Sequence, residues 1–278
     1  MDFLEVKIKI NPDYAELLMT ELVEAGFDSF LESDEGLDAY VEEHVYDKKS
    51  LENLILKYKT LSGTDVPFTV SKMEKKNWNE EWEKNFQPVK INDKVYVRAS
   101  FHQPDNSFPC EIVINPKMSF GTGHHETTSL MLERQSEIDQ KNKSVLDAGS
   151  GTGILAIYAY KSGASNVVAY DMDDWAYENV QENLELNACK EIKTYKGIIS
   201  TVPVQDLKFD IVLANINKNV LMKEIPEYTR LIKSGGSLIV SGFYENDIKD
   251  IENIAVASGC SLVYKKLKNN WACLHFNK

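Results

Sequence analysis

No run of apolar residues in this 278-residue chain approaches the roughly 18 needed to cross a bilayer, so no membrane span is expected. The opening Met1-Asp-Phe-Leu-Glu lacks a basic stretch leading into an apolar one, and no secretory signal is expected. Cysteine is scarce. Cys110, Cys189, Cys260 and Cys273 show neither the paired spacing of a zinc site nor a disulfide framework, so no metal is expected. Scattered thiols fit a reducing compartment, where cysteine packs as a small apolar residue, and the expected location is the cytoplasm. Positive charge is short as well: 31 Lys and Arg face 43 Asp and Glu, for a net charge of −12. Such a surface repels phosphate backbones and argues against direct nucleic-acid binding. There is no internal repeat and no low-complexity tract.

The negative charge is concentrated at one end. Residues 1 to 72 hold 16 acidic and 7 basic side chains, a net of −9. That suits a basic protein partner, or simply keeps the region soluble. The same stretch predicts β-α-β-β-α-β. Phe3 to Ile10 alternates as a half-buried strand; Asn11 and Pro12 open a helix whose Ala15, Leu18, Leu22 and Ala25 share a face; Gly26 ends it. Phe27–Leu31 and Leu37–Val41 read as strands around a turn. Leu51, Leu54, Ile55 and Tyr58 mark a second helix, and Val66–Met73 is a closing strand. The order is that of a ferredoxin-like domain, placed at residues 1–73. A tryptophan-bearing linker is expected at 74–92, with Trp78 and Trp82 on one face of a short helix. Over 93–278, short apolar runs such as Val145-Leu146, Val167–Tyr170, Ile211–Ala214 and Leu238–Val240 alternate with amphipathic helices. Ser261–Tyr264 and Trp271–Phe276 close the chain as strands. The expected fold is α/β, a doubly wound, mostly parallel, Rossmann-like sheet preceded by the small α+β domain.

Three patches carry chemistry. In Val145-Leu146-Asp147-Ala148-Gly149-Ser150-Gly151-Thr152-Gly153 a buried strand runs into a glycine turn, and a helix follows at once. Glycine lets a ligand approach the backbone, and the helix end offers N–H donors and a positive dipole end. Nicotinamide dinucleotides use a related loop, and a purely structural turn is a third reading. Here Gly153 follows Gly151 by two residues, Asp147 directly precedes the loop, and Asp171 ends the next strand, where a carboxylate can grip ribose hydroxyls. That combination favours S-adenosylmethionine over the other two readings, and a methyltransferase is expected. The second patch, Phe209 to Ile216, delivers Asn215 at a strand end. Its side-chain oxygen could accept from an amine, while Asn217 is the better helix cap. The third, Ile114 to Thr128, has a Gly121/Gly123 loop able to close as a lid, with Thr127 and Thr128 at a helix start. His124 and His125 diverge and are read as surface or loop residues.

These residues resemble the ribosomal protein L11 methyltransferase family. The similarity covers the ferredoxin-like start, Trp82 to Val89, Phe120 to Gly123, Asp147 to Gly153, Asp171 to Asp173, Ala214 to Ile216, Lys233 to Gly236 and Ser241-Gly242. It implies methylation of amines of that ribosomal protein, at the α-amine and at lysine side chains, with the N-terminal domain recognising the substrate, expected to be a basic ribosomal protein; a monomer is expected. The alternative is an N-methyltransferase for another protein or a small-molecule amine; a cofactor-binding regulator without turnover is less consistent with an intact Asn215. Carried over by motif, Thr128, Gly149, Asp171 and Asn215 contact the cofactor. Thr127, Asp147, Gly151 and Gly153 complete the expected cofactor set, and Asn215 with the Ile216 carbonyl is expected to hold the amine nitrogen in line. The family usually has Thr-His-Pro-Thr-Thr where this chain has His124-His125-Glu126-Thr127-Thr128. Without the proline the helix start is less constrained, and Glu126 is expected to bring a charge near the amine and to be able to take its proton.

Overall fold

The computed structural model describes residues 3–33, 36–72, 86–116 and 120–278, and it divides the chain into two compact units, 1–85 and 86–278. The paired tryptophans Trp78 and Trp82 lie outside the described residues.

The first unit follows the expected order: β1 (Phe3–Ile8), α1 (Pro12–Glu24), β2 (Ser29–Ser33), β3 (Gly36–Glu42), α2 (Lys48–Ser62) and β4 (Phe68–Lys72). The strands form an antiparallel sheet in the order β2-β3-β1-β4, the ferredoxin-like arrangement. Alternation decides its faces. Leu4, Val6 and Ile8 of β1, with Leu37, Ala39 and Val41 of β3, pack on Leu18 and Leu22 of α1 and Leu51 and Ile55 of α2. The intervening Glu5, Asp38, Tyr40 and Glu42 fall on the opposite face. Asn11 caps α1 through its side chain, as the Asn-Pro pair predicts.

The second unit begins at Phe86 rather than at residue 93. Val89–Ile91, inside the stretch read as linker, is strand β5. It pairs with β6 (Val95–Arg98), which pairs in turn with β7 (Cys110–Val113). Strands of three or four residues carry too little periodicity to stand out in a sequence.

The main sheet contains β8 (Ser144–Ala148), β9 (Asn166–Asp171), β10 (Lys193–Lys196), β11 (Phe209–Asn215), β12 (Ile232–Tyr244), β13 (Ser261–Lys268) and β14 (Trp271–Asn277). Their order is β10-β9-β8-β11-β12-β14-β13; the first five run parallel, β14 is reversed against β12, and β13 pairs antiparallel with β14. Helices α3 (Glu126–Gln135), α4 (Ile154–Lys161) and α5 (Asp174–Leu186) cover one face, and α6 (Lys218–Leu231) and α7 (Ile248–Ala257) the other. Successive residues of one strand serve the two cores: Val145 faces α3 to α5, whereas Leu146 faces α6 and α7. The strand order reverses between β8 and β11, and doubly wound sheets bind ligands at that point, beyond the strands' carboxyl ends. Among the described residues, no helix is long and apolar enough to cross a membrane.

Candidate active site

A cavity of about 430 Å³ opens at this reversal, within the range of roughly 300–1,000 Å³ common for small-molecule sites. Its floor is the glycine turn between β8 and α4. Gly149, Gly151 and Gly153 all have positive φ, which admits glycine without strain. At Gly151 a Cβ would stand 2.3 Å from the Phe120 carbonyl oxygen, so the loop carrying Gly121 can dock there only over a glycine. Thr152 fastens the two loops, donating its hydroxyl to the Gly121 carbonyl at 2.6 Å and its N–H to that of Phe120 at 3.0 Å.

Two expected cofactor residues support the site without lining it. Asp147 is fully buried beneath the loop, where its Oδ2 accepts from the Ala156 N–H at 3.1 Å in the first turn of α4. Desolvation pushes its carboxyl up to about 7, and Asp171 nearby adds to the rise. Through Oδ2 it braces the helix N-terminus, while its Oδ1 is buried with no hydrogen-bond partner among the described residues. Gly153 faces Val180 of α5, where a Cβ would stand 2.4 Å from the valine methyl, and it too is absent from the cavity wall.

The remaining candidates, Thr127, Thr128, Gly149, Gly151, Asp171, Asn215 and Ile216, all line the cavity. Asp171 ends β9; its Oδ2 accepts from the Gly151 N–H at 2.8 Å and its Oδ1 from the Asp173 N–H at 3.0 Å. A carboxylate offers further lone pairs, so it can take ribose hydroxyls while shaping the glycine turn. Asn215 ends β11. Its Nδ2 donates to Thr128 Oγ1 at 3.3 Å, while its Oδ1 is buried and has no hydrogen-bond partner among the described residues. Asn217, not Asn215, caps α6, accepting from the Val220 N–H at 3.2 Å. The Ile216 N–H is held by the Ser241 carbonyl at 3.2 Å. A Cβ at Gly242 would stand 2.2 Å from the Ile216 carbonyl oxygen, so only a glycine can pack against that carbonyl.

The lid-side residues differ from expectation. His125 caps α3 with its Nδ1, accepting from the Thr127 N–H at 3.3 Å, so the helix start is held without the proline. Its ring lines the cavity between Phe120 and Trp271, at centroid distances of 5.0 and 4.7 Å. His124 turns the other way and meets the Gln87 carbonyl at 2.7 Å. Glu126 accepts from Asn269 Nδ2 at 3.0 Å and does not line the cavity, so it brings no charge to the amine position. The sequence also left out Met172 and Ile198, two exposed apolar side chains at the cavity rim, and the wall of α6 made by Val220, Glu224 and Tyr228. For Met172 a signal existed, since it follows Asp171 directly.

The residues fit an S-adenosylmethionine molecule: a glycine cradle, a carboxylate at the end of the second strand, an unpartnered amide oxygen, and apolar side chains at the rim for a flat base. Over residues 3–278 the chain matches the family model described as ribosomal protein L11 methyltransferase (PrmA). The chain belongs to that family. A ribosomal protein L11 methyltransferase from Phocaeicola vulgatus is 40% identical over 283 residues, 99% of each chain. One from Bacteroides thetaiotaomicron is 42% identical over 262 residues, covering 94% of this chain and 93% of that one. Among solved structures, the ribosomal protein L11 methylase of Lactobacillus delbrueckii subsp. bulgaricus superposes with a TM-score of 0.63 at 28% identity, covering 69% of this chain and 98% of that one. This methyltransferase thus has S-adenosylmethionine as its cofactor and the Rossmann-like sheet expected from its sequence.

Proposed function

We propose that this methyltransferase transfers methyl groups from S-adenosylmethionine to amino groups of ribosomal protein L11, at the α-amine and at lysine side chains. One observation carries the choice of an amine: Asn215 Oδ1 is a buried acceptor with no partner among the described residues, and Ile216, the next residue on the same cavity wall, offers its carbonyl as a second. Two acceptors bind two N–H groups of a primary amine and leave the nitrogen lone pair directed elsewhere. The cofactor supplies an electrophilic methyl group on a sulfonium. The nitrogen lone pair forms the new N–C bond as the C–S bond breaks, and the bonding pair stays on sulfur. Orientation of this kind contributes several kcal/mol in favourable systems, roughly 7–11 at most. The amine must arrive neutral, and with Glu126 turned towards Asn269 its proton leaves to water.

In the same proposal Asp171 takes the ribose hydroxyls, Thr127, Thr128, Gly149 and Gly151 shape the methionine end, and Asp147 and Gly153 support the loop from below. The first unit is the recognition domain for the basic substrate, supported by its net charge of −9 over residues 1–72 and by Glu5, Asp38 and Glu42 on its sheet face away from the helices. The cavity is complete within one chain, which supports a monomer as the acting unit, and four free cysteines support a reducing, cytoplasmic setting. Incubation with ribosomal protein L11 and S-adenosylmethionine, read by intact-mass spectrometry, should give stepwise methyl additions that peptide mapping places on amines. An unchanged L11 mass, with the cofactor bound, would overturn the substrate assignment.

A further inference from the structure

We propose that Glu224 selects adenine at the far end of the cavity by accepting a hydrogen bond from the exocyclic amino group of the base. This role rests on S-adenosylmethionine as the cofactor and adds a contact outside the glycine loop and Asp171. Among the described residues the cavity is lined by two carboxylates, Asp171 and Glu224. The cofactor offers three kinds of donor: the methionine ammonium, the ribose hydroxyls and the adenine amino group.

Strand order separates them. Across the carboxyl edge of the sheet stand Ile198 just past β10, Asp171 at the end of β9, the glycine turn after β8 and Asn215 at the end of β11. In the cofactor the ribose lies between the sulfonium arm and the base. With the ribose at Asp171 and the methyl group near Asn215, the base extends past Asp171 towards Ile198.

Hydrogen bonds tie Glu224 to the Asp171 side of the cavity. Val220, Glu224 and Tyr228 recur at intervals of four along α6 and present one stripe to the cavity. Along the helix axis Glu224 is about 10 Å beyond Asn217, so it lies deeper in the cavity than the helix start beside Asn215. The Tyr228 hydroxyl donates to Glu224 Oε2 and accepts from the Tyr170 hydroxyl at 3.4 Å. Tyr170 directly precedes Asp171 on β9 and lines the cavity, so this chain of hydroxyls ties Glu224 to the ribose side. Burial raises the pKa of both phenols, keeping them protonated as donors. A carboxylate has more lone pairs than Tyr228 uses, and it accepts only. It therefore favours an amino group on the base over hydrogen at the same ring position.

The test is calorimetric titration of the full chain with S-adenosylhomocysteine and with its analogue carrying hydrogen in place of the adenine amino group. Wild-type protein should bind the analogue about tenfold or more weakly, the scale of a hydrogen bond to a charged group. Glu224→Ala should bind S-adenosylhomocysteine about tenfold more weakly than wild type and hold the two ligands within about twofold of each other. Glu224→Gln keeps an acceptor oxygen and should retain most of the preference, while thermal melting verifies that each variant is folded. A Glu224→Ala protein that keeps the wild-type preference for the amino-bearing ligand would overturn the role. Wild-type protein that bound neither ligand would instead overturn the cofactor itself.

Discussion

The amide nitrogen of Asn215 is engaged by Thr128 Oγ1 at 3.3 Å, and that bond leaves the amide oxygen buried and unpartnered. One residue ends β11 and the other lies in the first turn of α3, far apart in sequence, so neither alone sets which way the amide points. Leaving a buried acceptor unsatisfied costs about 1–3 kcal/mol, and such a cost is tolerated where a ligand relieves it.

Asn215→Ala should therefore act mainly on the rate of methyl transfer, because the amide aims the amine in the transition state. Single-turnover kinetics at saturating cofactor should show a loss of about tenfold or more, with Thr128→Val giving a smaller loss because the amide can then rotate. An effect confined to substrate affinity would make Asn215 a binding residue only.

Asp171→Ala should weaken cofactor binding by roughly 1–3 kcal/mol, the value of the charge-assisted hydrogen bonds it loses. Part of that loss comes through the Gly151 N–H, which the carboxylate holds at 2.8 Å. Calorimetric titration of a folded variant with unchanged affinity would refute it.

Asp147 links pH to stability. Burial raises its folded pKa to about 7 from an ordinary 3.8, so between those values the folded chain keeps a proton that the unfolded chain has released. Stability contributed by this group is present below about pH 4, falls as pH rises, and is fully lost above about 7. Asp147→Asn removes the titration while keeping an acceptor for the Ala156 N–H. Urea unfolding across that window should show the variant gaining on wild type as pH rises; a constant gap would mean that Asp147 stays ionised.

A chain beginning at Phe86 should keep its cofactor affinity, since the cavity-lining residues all belong to the second unit. It should lose nearly all activity on intact ribosomal protein while retaining slow transfer to a short lysine peptide. In the full chain, the substrate KM should rise with salt, because attraction to the acidic first unit is screened over about 8 Å at physiological ionic strength. Full efficiency of the shortened chain on the intact substrate would reduce the acidic surface to a solubility feature.

Much of this molecule was legible before any coordinates. The ferredoxin-like order, the parallel strands, the glycine turn, Asp171 and Asn215 all announce themselves through periodicity or spacing within a few residues, because local backbone geometry imposes those patterns. Asn217 as the helix cap is of the same kind. His125, Glu126, Ile198, Glu224, Tyr228 and Trp271 were not legible as members or non-members of the site. Their places depend on which strands neighbour one another and on how helices lie across the sheet. Its position in the sequence makes His125 a surface or loop residue, yet Phe120 and Trp271, the latter far along the chain, flank it.

Asp147 shows the division most directly. Chain order alone puts an acid before the glycine turn, and the turn's geometry follows from residues with no Cβ. Whether that acid meets a ligand or lies beneath the loop depended on α4 folding back over β8 and taking the carboxylate with the Ala156 N–H. Burial then decided its charge. Local spacing specifies what the backbone can do, whereas desolvation and long-range pairing exist only once distant segments have packed together.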